Sequence, residues 1–378
     1  MKLRSLICII LSITLLSAMP TVYVSATNNK GISLSAKSAI LIDAAENNIL
    51  YEKNANARLP MASTTKIMTA LVASELLSLD TMITIPKEAT GIEGSSIYLC
   101  EGEQLTAKEL LYALLLESAN DAAAALAICS AGSIEAFAQK CNEKAASLML
   151  KDSNFTNPHG LYEEDHYTTA HDLAMISAEA LKNSDIREIT STKKIQIPLG
   201  RTKENPNGDG IRVLANHNKM LKSYEGAIGV KTGFTKKSGR CLVSAAERNG
   251  LTLIAVTLNA PNDWQDHTAM LDFGFENFEY KTFFDKNEFF YKFPLTNGTS
   301  EYIEITNSSP LGAVISKEDS EYTQSIEATF RFAFAPIQKG EIIAKLKLNV
   351  NGKELTSPLV AAYGVDSKDK KNNFFKFN

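Results

Sequence analysis

The sequence predicts an α+β fold: one antiparallel sheet covered by helices, followed by a small all-β domain. Three observations carry this. Strand-like segments lie at both ends of the first two-thirds of the chain. The stretch between them follows a helical period. Beyond about residue 278 that period vanishes and short alternating segments replace it. Joining the two sets of end strands into one sheet, with the middle helices packed on it, buries the apolar faces of both.

The elements follow in order. Residues 38–54, SAILIDAAENNILYEKN, read as two strands joined at Glu46-Asn47-Asn48, a hairpin. Residues 64–78 have helical spacing, with Ser63, Thr64 and Thr65 as candidate caps and Ile67, Met68 and Leu71 on the buried face. Residues 106–118 open on Thr106-x-x-Glu109, a capping box, and continue through Leu110, Leu114 and Leu115. Two more helices, in NDAAAALAICSAG and SIEAFAQKCNEKAASLML, break at Gly132, and Thr169-x-x-Asp172 caps another running to about Leu181. RCLVSAAE and LTLIAVTL flank Arg248-Asn249-Gly250, and Asn-Gly is the strongest short hairpin signal. A helix near 264–273 closes the first domain. In the second, EYIEIT, SIEATFRFAF, EIIAKLKLNV and TSPLVAAYGV read as strands, with turns at Asn297-Gly298, Lys339-Gly340 and Asn351-Gly352. The division is a leader at 1–26, a catalytic domain at 27–278, a β-rich domain at 279–364 and a polar tail at 365–378.

The leader is a secretory signal peptide by pattern: Lys2 and Arg4, an apolar run from Leu6 to Met19, and the small-residue cleavage site Val24-Ser25-Ala26. An uncleaved anchor is the alternative reading, but the run is short and broken for a membrane span. Cys8 has no small-residue lipobox before it. The chain carries 39 basic and 43 acidic residues, a formal charge of −4, and losing the leader makes it more acidic; nucleic acid is a poor partner for it. Cys100, Cys129, Cys141 and Cys241 fit no zinc template. Cys129 and Cys141, in alanine-rich helices, read as small buried hydrophobes; the sequence pairs no disulfide.

Chemistry concentrates in three short segments. In MASTTKIMTA, Ser63 and Lys66 stand three residues apart on one helical face, so the amine reaches the hydroxyl without any loop. A serine needs such a base to become a nucleophile, and a lysine serves only if burial or a neighbouring cation lowers its pKa. Taken alone the pair is weak, because S-x-x-K is common and serines cap helices. Ser118-Ala119-Asn120 falls in the break between two helices, where it is either a simple helix boundary or a loop offering a hydroxyl and an amide to a cleft. Lys231-Thr232-Gly233 lies on a strand. Either it is an edge strand with a solvated lysine and a bulge, or it supplies a second cation, a hydroxyl for a substrate carboxylate and a glycine that permits close backbone approach.

Together, S-x-x-K, S-x-N and K-T-G in this order are far more specific. The chain resembles the low-molecular-mass penicillin-binding proteins that act as serine-type D-alanyl-D-alanine carboxypeptidases, peptidase family S11. NPHGL (157–161), HYTTAHDLA (166–174), LANHNKML (214–221), GVKTGFTKKSG (229–239) and the tail-domain run APIQKGEIIAKLKLNVNGKELTSPLVAAYGV extend the likeness over roughly residues 33–364. The resemblance implies a serine β-lactamase/transpeptidase-like first domain. It implies Ser63 as the acylated nucleophile and Lys66 as its base. Ser118 and Asn120 line the cleft; Lys231, Thr232 and Gly233 bind substrate, and Lys231 stays charged and orients Ser118. The oxyanion hole is made of backbone amides, those of Ser63 and of a residue shortly after Gly233. The reaction is removal of the terminal D-alanine from peptidoglycan stem peptides, with β-lactam antibiotics as inhibitors, in the cell-wall space outside the membrane. No cofactor and no metal is expected. His166, His171 and Asp172 match no strong metal template, and structural roles are expected for the histidines, with His159 in a turn.

Some features depart from the family. Ala119 stands where β-lactamases carry aspartate, and Glu163 and Glu164 lie near, but not in the context of, their deacylating glutamate. Residue 234 is Phe and no arginine occurs in 257–275, leaving Thr232, with Thr235 or Arg240, to grip the substrate carboxylate. The tail NNFFKFN is too short for an amphipathic anchor helix, so only weak membrane-surface contact is expected. Rival readings are a β-lactamase of the same fold and a non-catalytic cell-wall-binding protein; the three intact motifs argue against the latter.

Overall fold

The computed structural model describes residues 32–318, 321–350 and 352–368. The expected leader with Cys8, Asn351 of one expected turn and residues 369–378 of the tail lie outside the described residues.

The first domain opens with β1 (Ser38–Asp43) and β2 (Ile49–Lys53), then α1 (Lys66–Leu76). β3 (Met82–Thr84) and β4 (Gln104–Thr106) pair as a small arm. Helices α2 (Ala107–Leu116), α3 (Asn120–Ala131), α4 (Ile134–Ser147), α5 (Ala170–Lys182) and α6 (Ser184–Ser191) fill the middle. The hairpin of β5 (Lys194–Pro198) and β6 (Ile211–Ala215) and the short α7 (Met220–Ser223) lead to β7 (Ala227–Thr235), β8 (Gly239–Arg248), β9 (Leu251–Leu258) and α8 (Asp263–Asn277). The main sheet has the order β2-β1-β9-β8-β7. The two ends of the domain therefore meet in one antiparallel sheet, as expected, with Ile40 of β1 opposite Val256 of β9.

Both faces of this sheet are buried. Ile40, Ile42, Ile254 and Val256 pack with Ile67, Leu110 and Leu173 from the helical layer, whereas Ala39, Leu41 and Leu253 pack with Met270 and Leu271 of α8 on the other side. That is why SAILID and LTLIAVTL read as nearly continuous apolar runs rather than alternating ones. The local signals hold where they are strong. Thr106 and Glu109 form a reciprocal capping box, the Thr169 hydroxyl accepts from the Asp172 amide, and Gly132 ends α3 with φ +89°. Asn249 and Gly250 both take positive φ, as a tight hairpin with the strand twist demands.

Four expectations are corrected. The α-helix begins at Lys66, preceded by a 3-10 turn over Ala62–Thr65. The Thr64 and Thr65 hydroxyls do not cap it; they donate back to the Met61 and Ala62 carbonyls, three residues behind, which is the spacing of a 3-10 turn. Cys129 is exposed, because it sits on the last turn of α3 beyond the core; Cys141 is buried, and all four described cysteines are free. SIEATFRFAF is not one strand: β14 (Tyr322–Glu327) and β15 (Ala333–Phe334) are separated by a turn, and Phe330, Phe332 and Phe334 face outward.

Strands β10 (Phe278–Phe284), β11 (Phe290–Thr296), β12 (Tyr302–Asn307), β13 (Leu311–Ser316), β16 (Ile342–Val350) and β17 (Lys353–Ala361) complete an all-β second domain. A six-stranded sheet, β14-β16-β17-β12-β11-β15, packs Ile303, Ile305, Leu346, Leu348 and Leu359 against Leu311, Ala313 and Ile315 of the β10-β13 pair. Its strands alternate buried and exposed, the pattern of a sheet with one face in water. Among the described residues no single helix is long and apolar enough to cross a membrane.

Candidate active site

Ser63 stands in the 3-10 turn between β2 and α1. The turn is tight: Ala62, its first residue, has φ +49°, a left-handed conformation rare outside glycine. Lys66, in the first turn of α1, is wholly buried. Its Nζ lies 2.7 Å from Asn120 Oδ1, 2.7 Å from the His159 carbonyl oxygen and 3.1 Å from Ser63 Oγ. The first two groups are acceptors only, so they fix two N–H bonds of the amine. The third tetrahedral position then points at Ser63 Oγ, where a neutral amine carries its lone pair. Burial, and then the Lys231 cation, hold the Lys66 pKa well below the ordinary lysine value, with Asp121 opposing them.

Asn120 opens α3, and its placement explains the S-x-N spacing. Its amide N–H donates to the Ser95 carbonyl and its side-chain amide to the Glu93 carbonyl, tying the loop at 93–95 to the helix. Asp121 continues the tie by accepting from Ser96 Oγ and the Leu99 amide. A Cβ at Gly94 would stand 2.8 Å from Asn120 Nδ2, so the loop can pass only there as glycine. Ser118 lies in the break between α2 and α3 with φ +60°, a strained conformation for serine that brings it to the cleft wall.

The third motif lies on β7, the sheet edge. Lys231 is buried, and burial pushes its pKa down to about 7. Among the described residues its Nζ donates to the Thr232 carbonyl oxygen at 2.8 Å and to no side chain, Ser118 included. Gly233 packs on the nucleophile's turn: a Cβ there would lie 3.0 Å from the Ser63 amide nitrogen and 3.1 Å from that of Thr64.

A cleft of about 380 Å³ runs over these groups, lined by Ser63, Ser118, Thr232 and Gly233 together with residues the motifs do not contain. Arg240 is one of them. It sits on β8 opposite Phe234, and its guanidinium pairs with both oxygens of Asp263, at 2.9 and 2.8 Å, beside the Trp264 ring. Lys219 approaches the same ring from α7's start, and His217 lines the wall. Arg240 reaches the cleft through its register on β8, whereas His217 and Lys219 of LANHNKML reach it from the segment between β6 and α7. Thr235 is spent on Ser238 and does not line it. Asp263 is the only carboxylate among the lining residues; Glu163 accepts from Asn157, and Glu164 faces a different cavity.

His159, His166 and His171 lie outside the cleft lining. His171 pairs with Asp172, His166 bridges Thr156 and Thr65, and His159 lends its carbonyl to Lys66 from the turn expected of it.

Residues 24–262 match the family described as D-alanyl-D-alanine carboxypeptidase, and residues 278–367 match the C-terminal domain of penicillin-binding protein 5. The chain is 35% identical over 371 residues to the D-alanyl-D-alanine carboxypeptidase DacF of Bacillus subtilis, covering 95% of this chain and 93% of that one. Among solved structures, penicillin-binding protein 5 of Haemophilus influenzae superposes with TM-score 0.69 at 25% identity, over 89% of this chain and 99% of the other. The DD-transpeptidase of Streptomyces K15 superposes with TM-score 0.61 at 34% identity, over 65% and 98%.

Proposed function

Because this chain belongs to the D-alanyl-D-alanine carboxypeptidase family and is a hydrolase of that type, we propose that it works through an acyl-enzyme on Ser63. The carrying observation is the buried Lys66 amine, held by two acceptors so that its remaining position faces Ser63 Oγ. Lys66 takes the Ser63 proton as Oγ attacks the carbonyl of the penultimate D-alanine. The amides of Ser63 and of a β7 residue just beyond Gly233 stabilise the oxyanion. Collapse breaks the peptide bond; the proton passes from Lys66 by way of Ser118 to the departing amine of the terminal D-alanine. Water then attacks the ester, and the same groups return the proton to Ser63. Asn120 holds Lys66 and the cleft loop, and Lys231, Thr232 and Gly233 form the edge against which the peptide lies. For the terminal carboxylate, Thr232 is joined by Arg240, whose guanidinium keeps N–H groups beyond those taken by Asp263.

The substrate on this reading is a peptidoglycan stem peptide ending in D-Ala-D-Ala, with β-lactams as mimics that acylate Ser63. Over a β-lactamase, the carboxypeptidase reading is favoured by the lining of the cleft, whose one carboxylate is committed to Arg240 and leaves none to activate a deacylating water. We further take residues 27–278 as the catalytic unit and 279–364 as a spacer domain, exported by the leader at 1–26 into the cell-wall space. Incubation with a fluorescent penicillin followed by peptide mapping tests the core of this. The label is expected on Ser63, absent in Ser63→Ala with an unchanged melting temperature, and long-lived. A label on another serine sinks the nucleophile, and a rapidly lost one favours the β-lactamase.

A further inference from the structure

His166 lies outside the cleft and touches none of the reacting groups, yet it is tied to the turn that carries the nucleophile. Its Nδ1 accepts the Thr156 backbone N–H at 3.0 Å. A nitrogen that accepts carries no proton, so in the neutral ring the proton sits on Nε2. Nε2–H therefore donates to Thr65 Oγ1 at 2.8 Å, and Thr65 Oγ1–H donates to the Ala62 carbonyl oxygen at 2.8 Å. Ala62 is the left-handed residue that aims Ser63. The chain of bonds is directional, and each donor and acceptor in it is assigned by the one before.

One other side chain ties the turn, Thr64 Oγ1–H donating to the Met61 carbonyl oxygen at 2.6 Å, one residue before Ala62. Gly160 passes so close that a Cβ there would fall 1.9 Å from the Ala62 carbonyl oxygen and 2.9 Å from Thr65 Oγ1. No side chain other than the Thr65 hydroxyl reaches that carbonyl among the described residues. The His166 ring is buried, set edge-on against Phe155. Burial also pushes its pKa down to about 4, which keeps the ring in the neutral form the bonds require. Its loop meets the site twice, since the His159 carbonyl at its start accepts from Lys66.

We propose that His166 is a positioning residue of the acylation step: its Nε2–H, acting through Thr65 Oγ1 on the Ala62 carbonyl, holds the left-handed turn that aims Ser63 Oγ at Lys66 Nζ. The inference rests on Ser63 being the nucleophile.

Two substitutions separate the two ring nitrogens. The amide of His166→Gln reaches the place of Nε2, while that of His166→Asn reaches only the place of Nδ1. Full-length protein is acylated by a fluorescent penicillin, and the limiting rate is read separately from half-saturation, with melting temperature alongside. His166→Asn is expected to lose about tenfold or more in limiting rate with half-saturation within about twofold, since small misplacements of reacting groups cost rate steeply. His166→Gln is expected to keep at least about a third of the rate. Thr65→Val should follow Asn, Thr65→Ser should follow Gln, and the His166→Asn/Thr65→Val double variant should be no slower than its slower parent. Equal losses in Gln and Asn, a wild-type rate in Thr65→Val, or a loss confined to half-saturation overturns the proposal. Should the histidine variants fail to fold, the Thr65 pair decides alone. Mapping of the wild-type label is independent: a label off Ser63 refutes the nucleophile, whereas a label on Ser63 with indifferent variants refutes only His166.

Discussion

Gly233→Ala isolates the contact between the edge strand and the nucleophile. Gly233 does not take a positive φ, so alanine costs no backbone strain there; what matters is the space its methyl would occupy. That methyl would stand 3.0 Å from the Ser63 nitrogen, 3.1 Å from the Thr64 nitrogen and 3.2 Å from Ala62 Cβ. These are turn atoms rather than the free ends of flexible side chains, and the turn is already held by Thr65 and Gly160. Relieving the contacts takes a shift of a few tenths of an ångström. If 1 Å of misplacement costs about a hundredfold, a shift of ~0.3 Å costs only about fourfold. The methyl also crowds the Ser63 amide proposed to hold the oxyanion, and losing one such donor costs about a hundredfold to a thousandfold. The second effect dominates, and the expected loss in limiting acylation rate is about a hundredfold, or ~3 kcal/mol.

Stability should hardly change, because β7 is an edge strand and alanine's smaller backbone entropy loss of about 0.5–1 kcal/mol offsets part of the crowding. The assay is single-turnover acylation by a fluorescent penicillin beside a thermal melt. A folded Gly233→Ala protein that acylates within about threefold of wild type would show that the close approach of β7 carries no catalytic function.

The remaining predictions concern charge. Lys66→Arg should lose about a thousandfold or more in acylation, because guanidinium cannot act as a base near neutral pH. Lys231→Arg keeps the cation but must fit a larger head into a buried site, so a partial loss of about tenfold to a hundredfold is expected in the same assay. Lys231→Met should melt a few degrees higher than wild type at pH 7. The folded pKa of Lys231 is about 7 against 10.5 for a free lysine, so the unfolded chain binds a proton that the folded one does not across that window. The wild-type fold therefore loses stability as pH falls from about 10.5 to 7, and the gain of Lys231→Met should shrink toward zero as pH rises; melts at pH 7 and 10 check the slope. Arg240→Gln should raise KM for a D-Ala-D-Ala peptide about tenfold while leaving hydrolysis of an ester analogue with an amidated terminus nearly unchanged; equal effects on both would remove Arg240 from carboxylate binding.

How much was legible in the sequence follows the range of the forces involved. Capping boxes, Asn-Gly turns and two-sided apolar strands are local, and they located β1, β2, β8, β9, α2, α3 and α5. The 3-10 turn before Lys66, the short α6 and the β5–β6 hairpin were not legible, because their pairing and packing partners lie elsewhere in the chain. SIEATFRFAF misleads for a related reason: its phenylalanines alternate like a strand's inner face, yet Phe330, Phe332 and Phe334 face outward. Arg240 was visible as a residue but not as a wall of the cleft, since its place depends on its register opposite Phe234.

The same distinction governs the catalytic lysine. The segment MASTTKIMTA brings Lys66 to Ser63, and any helix with S-x-x-K would do that. What makes the amine a base comes from far along the chain. Asn120, 54 residues on, and the His159 carbonyl, 93 residues on, take two of its N–H groups. Lys231, on a strand at the opposite end of the domain, helps to hold its pKa down. The helical layer excludes water from it. Burial and the Lys231 cation disfavour a charged Lys66, while the two acceptors orient its N–H groups, so the fold carries two buried amines at a cost that no single segment reveals. A local motif can therefore name the residues of this site, but only the closure of the sheet by strands from both ends of the domain gives Lys66 its chemistry.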